Sequence, residues 1–446
     1  MWRRASDFLA ALLFAAGIAI ACAQPALAKL VVMHGYADQT SALLWIQAAA
    51  PGPIEVAWSE AGGQNERRLA LRAVAADENI VVARLADLIP GATVDYRIRG
   101  DGDRKQGRVR TQPAWTDPKA APDITIAIGS CFFLGDSNPL FAPAPDYEGG
   151  FEIFDAIAAR KPDLMLWLGD SLYFQRPDFF DPLSMAARHR RQRGFAPLAR
   201  LLTATAHLAI WDDHDFGHNN ADASYRMKAE TLRLFKLYWA NPSYGEPKTP
   251  GVFGSSSFGD VDLILLDGRY HRSNARIPDG AHKSMFGAAQ FEWLKGVLQR
   301  ARSPLKLVAT GSQFWNAASS YDGLYQFPRE QKTLSEFLLA QRVEGLLFLS
   351  GDRHFTELLR IDRPGAYPLF EFTSSPLTSK PWAQPPARER RNPQVVPGTL
   401  VGKRQFGLIR ISGPGDDRRI ELESYDQTGT LLWQHALRAN ELRFPR

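Results

Sequence analysis

The sequence has few cysteines, no strong excess of charge of one sign, and no long apolar segment after its N-terminus. Lysine and arginine number 53 against 48 aspartate and glutamate residues. A small excess with both signs mixed along the chain argues against a dedicated nucleic-acid-binding surface. The lack of a long apolar segment argues against a transmembrane anchor. With 45% apolar and 23% charged residues, the composition is that of an ordinary globular protein with room for more than one hydrophobic core.

Residues 1–28 are predicted to be a cleaved export signal. The segment has a basic start with Arg3 and Arg4, an apolar centre too short for a stable anchor, and a small-residue Ala-Leu-Ala end. We expect cleavage before Lys29 and release of the protein into the periplasm or outside the cell. The arginine pair also leaves a twin-arginine export route open, and Cys22 leaves lipidation open.

Of the 2 cysteines, only Cys131 lies beyond the predicted signal. In an exported chain it would have no intramolecular partner for a disulfide bond. Lone cysteines are often buried as small apolar residues, but a thiolate is also a metal ligand. The residue alone leaves both interpretations open.

Residues 29–115 are predicted to form a small all-β sandwich. Short strand-like segments recur at regular spacing, and glycine and proline separate them. The stretch LADLIPGATVDYRIR at 85–99, with Leu88 and Pro90, resembles the late-strand region of fibronectin type III domains. Residues 116–123 are predicted to be a linker.

Residues 124–446 are predicted to form an α/β domain, because apolar strand-like segments alternate there with helical ones. Three closing strands, FGLIRISG, RIELESYD and LLWQHAL, and a surface excursion that begins at Pro381 complete the predicted domain. The predicted strands that bear on function are ITIAIG (124–129), LMLWL (164–168), LAI (208–210), VDLILL (261–266), LKLVAT (305–310) and GLLFL (345–349).

These six predicted strands all end directly before polar or metal-binding side chains. Ligands bind outside the carboxyl ends of the strands in open α/β sheets. One acidic residue at a strand end is usually a helix cap or a turn former, but six such ends together predict a single crevice. The residues that follow the strands are Cys131, Asp170 with Tyr173, Asp212 to His214, Asp267 with Arg269, Gln313, and Asp352 with His354.

The predicted crevice requires cations. Several carboxylates and imidazoles held together would repel one another and would be heavily desolvated without compensating positive charge. A soft thiolate and a phenolate beside hard carboxylates indicate two unlike ions. Paired metal ions commonly hold the attacking and leaving oxygens in phosphoryl transfer. We therefore predict a two-metal site.

Four motifs identify a family resemblance. GSC (129–131), GDSLY (169–173), WDDHD (211–215) and SGDRH (350–354) resemble the alkaline phosphatase D family of the metallophosphoesterase superfamily. GDSLY also resembles purple acid phosphatases, and the family too has a β-sandwich before its catalytic domain. The resemblance implies a metallophosphoesterase-like α/β sandwich with central mixed β-sheets, and an enzyme that hydrolyses phosphoric esters.

The resemblance also implies the metal ligands. Asp170 would bridge the two ions, and Cys131 and Tyr173 would hold an iron. The family implies Fe3+ together with Ca2+, and the ligand types alone leave Zn2+ or Mn2+ open. The complete predicted ligand set is Cys131, Asp170, Tyr173, Asp213, Asp352 and His354.

The predicted catalytic residues are His214 and Arg269. A metal-bound hydroxide would attack phosphorus while His214 stabilises the transition state or acts as general acid. Arg269 would either contact the phosphate through its planar guanidinium or form a structural salt bridge. Asp212 would orient His214, and residues 218–220 would line the pocket or simply end a loop.

The sequence is compatible with three functions. The first is phosphomonoesterase or phosphodiesterase activity on a phosphate ester substrate. The second is a phospholipid-directed phosphodiesterase with the same core, and the third is a non-catalytic, metal-stabilised binding protein. We expect a monomer in each case.

Overall fold

The computed structural model describes residues 29–63, 65–115, 120–135, 146–319 and 321–445. The predicted export signal and positions 116–119 of the predicted linker lie outside these residues. Within the described parts of the chain, no helix is both long enough and apolar enough to span a membrane.

The N-terminal region is all-β. A three-stranded antiparallel sheet in the order β1-β2-β5 faces a four-stranded antiparallel sheet in the order β4-β3-β6-β7. Alternating residues such as Val94, Tyr96 and Ile98 point into the core between the sheets. The strands are β1 Leu30–Ala37, β2 Ala42–Ala48, β3 Gly52–Glu60, β4 Arg67–Ala73, β5 Ile80–Leu85, β6 Thr93–Gly100 and β7 Asp103–Arg110.

The first sheet of the α/β region has six strands in the order β10-β9-β8-β17-β18-β19. Strands β8, β9 and β10 are parallel neighbours, and β17 to β19 extend the sheet in antiparallel pairing. Its strands are β8 Ile124–Gly129, β9 Leu164–Leu168, β10 Ala206–Ile210, β17 Gln405–Ser412, β18 Arg419–Asp426 and β19 Leu431–Arg438.

The second sheet also has six strands, in the order β11-β12-β13-β14-β16-β15. Strands β12, β13, β14 and β16 are parallel, while β11 and β15 pair antiparallel at the two edges. Its strands are β11 Gly254–Phe258, β12 Val261–Leu265, β13 Leu305–Ala309, β14 Leu346–Ser350, β15 Thr356–Ile361 and β16 Leu369–Ser374.

The two six-stranded sheets share one core. Ile126, Leu166 and Ile210 of the first sheet belong to the same buried cluster as Leu263 and Leu347 of the second. The opposite face of the first sheet packs on helices α1, α3 and α5. The helices are α1 Ile153–Ala159, α2 Pro182–Arg193, α3 Ala199–Ala204, α4 Asp213–Phe216, α5 Lys228–Tyr238, α6 Ala288–Arg300, α7 Pro328–Ala340 and α8 Ala387–Arg390.

The all-β region packs directly on the end of helix α5. Trp45 is fully buried, and its indole nitrogen donates a 2.8 Å hydrogen bond to the carbonyl oxygen of Leu237. The guanidinium of Arg193 lies between the rings of Trp45 and Trp239, 5.8 and 4.0 Å from their centroids. The two regions are therefore joined by a buried aromatic contact.

Candidate metal centre

The loops after the parallel strands of both sheets meet at one edge of the α/β region. Four predicted ligands in these loops have left-handed backbone conformations, with φ of 59° at Cys131, 48° at Asp170, 63° at Asp352 and 56° at His354. Such φ values are uncommon outside glycine and persist where the surrounding structure fixes them, often at functional sites. The backbone is therefore bent at four points to direct these side chains.

Cys131, Asp170 and Tyr173 form the inner part of the site. One carboxylate oxygen of Asp170, Oδ2, lies 3.5 Å from the Cys131 sulfur and 3.5 Å from the Tyr173 hydroxyl. All three side chains are buried. Burial, reinforced by Asp352, raises the pKa of the Cys131 thiol to about 12. Burial followed by the charge of Asp213 raises the pKa of Asp170 well above its usual value.

Asp213 forms the centre of a second group. Ligand atoms of Asp170, Asp213 and His214 lie within 4.8 Å of one another, and so do those of Asp212, Asp213 and Asp352. Asp170 therefore belongs to both groups. Its Oδ2 lies next to Cys131 and Tyr173, and it also lies close to Asp213 and His214. A carboxylate that bridges two ions would occupy such a position.

The site has the donor chemistry that metal ions require. Asp213 Oδ2 accepts a 2.6 Å hydrogen bond from the Asn220 backbone, but its buried Oδ1 has no hydrogen-bond partner among the described residues. Burial raises the pKa of Asp352 to about 7. A buried, unsatisfied carboxylate oxygen among carboxyl groups that resist ionisation is a position where a cation stabilises the protein. The residues thus fit bound metal ions.

His214 lies on the open side of the site. Its ring stacks on Tyr173 with centroids 4.2 Å apart, and its backbone N–H donates to Asp170 Oδ1 at 3.2 Å. The imidazole makes no hydrogen bond within the described chain. Burial lowers its pKa, although Asp213 opposes that shift. The neutral ring keeps one N–H to donate and one lone pair for a metal or a proton.

His354 is oriented by the segment that follows β16. Its Nδ1 lies 2.7 Å from the carbonyl oxygen of Lys380. Because a carbonyl only accepts, Nδ1 holds the hydrogen and Nε2 keeps a lone pair that is available to a metal ion. Ser375 connects this part to the inner group, since its hydroxyl accepts from the His354 backbone N–H at 2.9 Å and donates to the Cys131 sulfur at 3.1 Å.

The structure places Arg269 in a buried salt-bridge network. The side chain is 0% exposed, with Nε 2.6 Å from Asp212 and Nη1 2.6 Å from Asp322. Further contacts to Ser312 and to the Ala221 carbonyl use the remaining donor directions. The salt-bridge alternative is thus the one seen here. Contact with phosphate stays a prediction, and a guanidinium already occupied on every side counts against it.

Asp212 does not orient His214 as expected. Its carboxylate instead accepts from Arg269 and, at 3.2 Å, from the hydroxyl of Ser312. Burial raises its pKa to about 6, although Arg269 opposes the shift. Asp212 therefore connects the metal centre with the arginine network behind it.

Two of the predicted strand ends support the site without reaching it. Asp267 accepts from the Trp211 indole at 2.7 Å and from the Val252 backbone at 2.9 Å. Gln313 donates to the buried carboxyl group of Glu357 at 2.7 Å. Both side chains fix neighbouring loops, and the predicted metal ligands follow the other four strand ends.

Several residues near the site were not predicted from the sequence. Asp215 stood inside the WDDHD motif and holds the hydroxyl of Ser171 at 2.6 Å. Tyr147 packs on Phe133 at 4.7 Å beside the inner group, and burial, then Cys131, raises its pKa to about 12. The WDDHD motif was a signal for Asp215. Tyr147 belongs to none of the four motifs, so nothing local in the sequence indicated it.

Comparison with known proteins agrees with this architecture. The profile of the PhoD-like phosphatase family matches residues 140–397. The solved structure of PhoD superposes with a TM-score of 0.74 at 17% identity, covering 91% of this chain and 91% of that one. Purple acid phosphatase PPD1 from yellow lupin (Lupinus luteus) seeds superposes with a TM-score of 0.65 at 10% identity, covering 92% of this chain and 74% of that one. No curated protein sequence gives a significant match.

The fold and the family together define a metal-dependent hydrolase of phosphoric esters. The chain belongs to the PhoD-like phosphatase family. The predicted α/β fold with an N-terminal all-β region, the predicted family and the predicted enzyme class are confirmed.

Proposed function

We propose that this protein is an exported two-metal hydrolase that cleaves phosphoric monoesters and diesters. The observation that supports it is the position of Asp170, whose carboxylate contacts Cys131 and Tyr173 on one side and adjoins Asp213 and His214 on the other. One carboxylate between two ligand groups is the arrangement that a pair of bridged ions needs.

The two ion positions are proposed to differ. Cys131, Tyr173 and Asp170 offer a thiolate, a phenolate and a carboxylate, which suit Fe3+. Asp213 and Asp352, with His354, offer an oxygen-rich set that suits Ca2+, with Zn2+ or Mn2+ as alternatives. Because these groups must lose protons when they bind an ion, metal affinity is expected to fall at low pH.

The chain's own residues divide the chemical work. Bound ions would supply positive charge next to the phosphoryl oxygens and would acidify water. His214, half-buried on the open side, takes up a proton on its free ring nitrogen, which the neighbouring Asp213 favours, and gives that proton to the leaving alkoxide. Asp352 and His354 are also half-buried, so the substrate enters on their side. Arg269 is assigned a positioning role, since it fixes Asp212 and Asp322 from behind.

Assays of p-nitrophenyl phosphate and bis(p-nitrophenyl) phosphate, with metals added, test the proposal. Asp170→Ala and His214→Ala should each lower kcat by about 10²–10⁴-fold, because one removes the bridging ligand and the other the proton donor. Turnover at the wild-type rate in both variants would rule the proposal out.

Domain organisation and export are part of the same proposal. We infer a signal at residues 1–28, a sandwich at 29–115, a linker at 116–123 and a catalytic domain at 124–446, acting as a monomer in the periplasm or outside the cell. No predicted site residue falls within 29–115. N-terminal sequencing of the protein recovered from the producing cell's exterior should begin at Lys29, and an intact Met1 would contradict the export signal.

A further inference from the structure

Two large aromatic side chains are exposed together beside the metal centre. Tyr321 is 41% and Trp382 47% exposed. Their ring centroids lie 6.2 Å apart with a 49° angle between the ring planes. We call these two residues the aromatic pair. Large aromatic rings are usually buried, and exposed ones that lie together frequently belong to binding sites.

Trp382 is attached to a predicted metal ligand. Its backbone N–H donates a 2.9 Å hydrogen bond to the carbonyl oxygen of His354. Two residues earlier, the carbonyl of Lys380 binds the His354 ring at 2.7 Å. The segment that contains Trp382 is thus hydrogen-bonded to His354 at two points, and it places the indole ring beside the site.

Tyr321 is attached to the residue between the ligands Asp352 and His354. Its ring lies over the guanidinium of Arg353, with 4.5 Å between the guanidinium carbon and the ring centroid. Arg353 is itself buried and forms a 2.6 Å salt bridge with Glu389. Both aromatic residues are therefore positioned by contacts with Arg353 and His354, which are adjacent in the chain.

The loops on which the aromatic pair lies are joined by a buried polar network. Glu389, which follows Trp382 in the same excursion, accepts a 2.9 Å hydrogen bond from Asn316, which precedes Tyr321. Asn316 also receives a 3.1 Å bond from Asn392. Buried hydrogen bonds of this kind restrict the movement of both loops. The rings are consequently presented in a fixed arrangement, which lowers the entropic cost of binding between them.

We propose that Tyr321 and Trp382 bind a planar, ring-bearing organic group of the phosphoester substrate. This inference rests on the proposed function, because it requires the phosphoryl group to occupy the metal centre. Asp352 and His354 lie on the open side of that centre, and the aromatic pair adjoins the same side. An ester whose phosphoryl group is held there places its organic group against the two rings. Offset or edge-on contact between aromatic rings then selects aryl and heteroaryl esters over small alkyl esters.

The test compares p-nitrophenyl phosphate with ethyl phosphate, using the metal-loaded full chain and phosphate release as the readout. Dividing each variant's kcat/KM by the wild-type value for the same ester cancels the different reactivities of the leaving groups. Trp382→Ala and Tyr321→Ala should each lower kcat/KM for the aryl ester about 5- to 20-fold, mainly through KM. The same variants should keep ethyl phosphate turnover within about twofold.

Two controls complete the design. Trp382→Phe retains a ring and should recover most of the aryl preference, whereas Ile89→Ala removes a side chain that is 62% exposed in the all-β region and should change neither ester. Unchanged ethyl phosphate turnover also reports that each variant is folded.

The outcomes separate the two proposals. Equal loss on both esters, or no loss on the aryl ester, would overturn the role of the aromatic pair and leave the phosphoesterase proposal intact. Failure of the wild-type protein to hydrolyse either ester would overturn the proposed function and this inference with it.

Discussion

Tyr173 and Tyr147 provide two neighbouring phenols with different expected roles. Both contact Phe133, with ring centroids 5.1 and 4.7 Å away. Only Tyr173 also places its hydroxyl 3.5 Å from Asp170 and stacks on His214. Removing each hydroxyl in turn therefore separates metal binding from packing.

On the proposed assignment of iron to the inner group, we predict that Tyr173→Phe loses most of that iron and at least about tenfold in kcat, because the phenolate is gone while the stacked ring remains. Tyr147→Phe should retain its iron. Elemental analysis of the purified proteins gives the answer, and identical iron contents in the two variants would refute the assignment of Tyr173.

Glu357 provides a test at the level of stability. It is fully buried, and burial, then Glu389, raises its pKa from 4.5 to about 8. The folded protein therefore keeps a proton on Glu357 that the unfolded chain loses above pH 4.5. The stability that this proton provides is complete below pH 4.5 and is lost as pH rises towards 8.

Glu357→Gln should accordingly be tolerated and should lose less stability than wild type as pH rises from 5 to 8. Between pH 5 and pH 8, we expect the midpoint temperature of unfolding of the variant to rise by about 1–3 °C relative to that of wild type. Differential scanning calorimetry at pH 5 and pH 8 measures the change. A constant difference between the two proteins would mean that Glu357 is ionised in the folded state.

The residues that could be predicted from the sequence are those that directly follow an apolar strand. Cys131, Asp170 and Asp213 are of this kind, and the structure brings them together. Ser375 could not be predicted because the strand before it, β16, was not predicted. Asp322 could not be predicted because its importance depends on which distant loop it meets. The salt bridges of Asp322 with Arg269 and Arg272 have no counterpart in local sequence.

At the level of elements, the turns after the strands must be tight as well as correctly placed. Gly169 follows β9 with φ of 83°, and a Cβ atom there would lie 2.7 Å from the Cβ of Asp212. A Cβ at Gly311, after β13, would overlap the Asp212 carboxylate. These two glycines allow turns from both sheets to approach the same side chain.

We predict that Gly311→Ala displaces Asp212 and lowers kcat/KM on p-nitrophenyl phosphate by at least about tenfold, since small displacements at a catalytic centre are costly. Gly280→Ala is the matched control, because a Cβ there meets nothing within 4 Å. Steady-state kinetics of both variants decide the point. Equal activities would show that the turn after β13 can yield without disturbing the site.

Most strands were predictable from apolar runs, but β4, β11, β15 and β16 were not. Strands β4 and β11 are edge strands whose residues are largely exposed or half-buried. Strands β15 and β16 each contain a glutamate, Glu357 and Glu371, that is 0% exposed. Buried glutamates interrupt the apolar pattern, and the amides that bind them come from a remote loop. An apolar pattern therefore cannot anticipate these strands.

The all-β and α/β regions are joined through Trp45, and all predicted site residues lie in the α/β region. Trp45 donates across the boundary to Leu237, whereas Trp58, also buried in the sandwich, has an indole nitrogen without a partner among the described residues. Replacing each of these two tryptophans by phenylalanine therefore tests the contact between the two regions.

Trp45→Phe should destabilise the protein more than Trp58→Phe does, by about 1 kcal/mol, because only the first removes a buried hydrogen bond. Both variants should keep kcat/KM on p-nitrophenyl phosphate within about twofold of wild type. Thermal unfolding and steady-state kinetics provide the two readouts. Loss of activity in a folded Trp45→Phe protein would mean that the all-β region takes part in catalysis.

The central claim is that side chains far apart in the sequence meet through Asp170 and hold two ions. Its most direct test is the number of metal ions bound per chain, measured by elemental analysis of metal-loaded wild-type protein and of Asp170→Ala. We expect two ions per wild-type chain and the loss of at least one from the variant. An Asp170→Ala protein that retains both ions, or a wild-type chain that binds none, would contradict it.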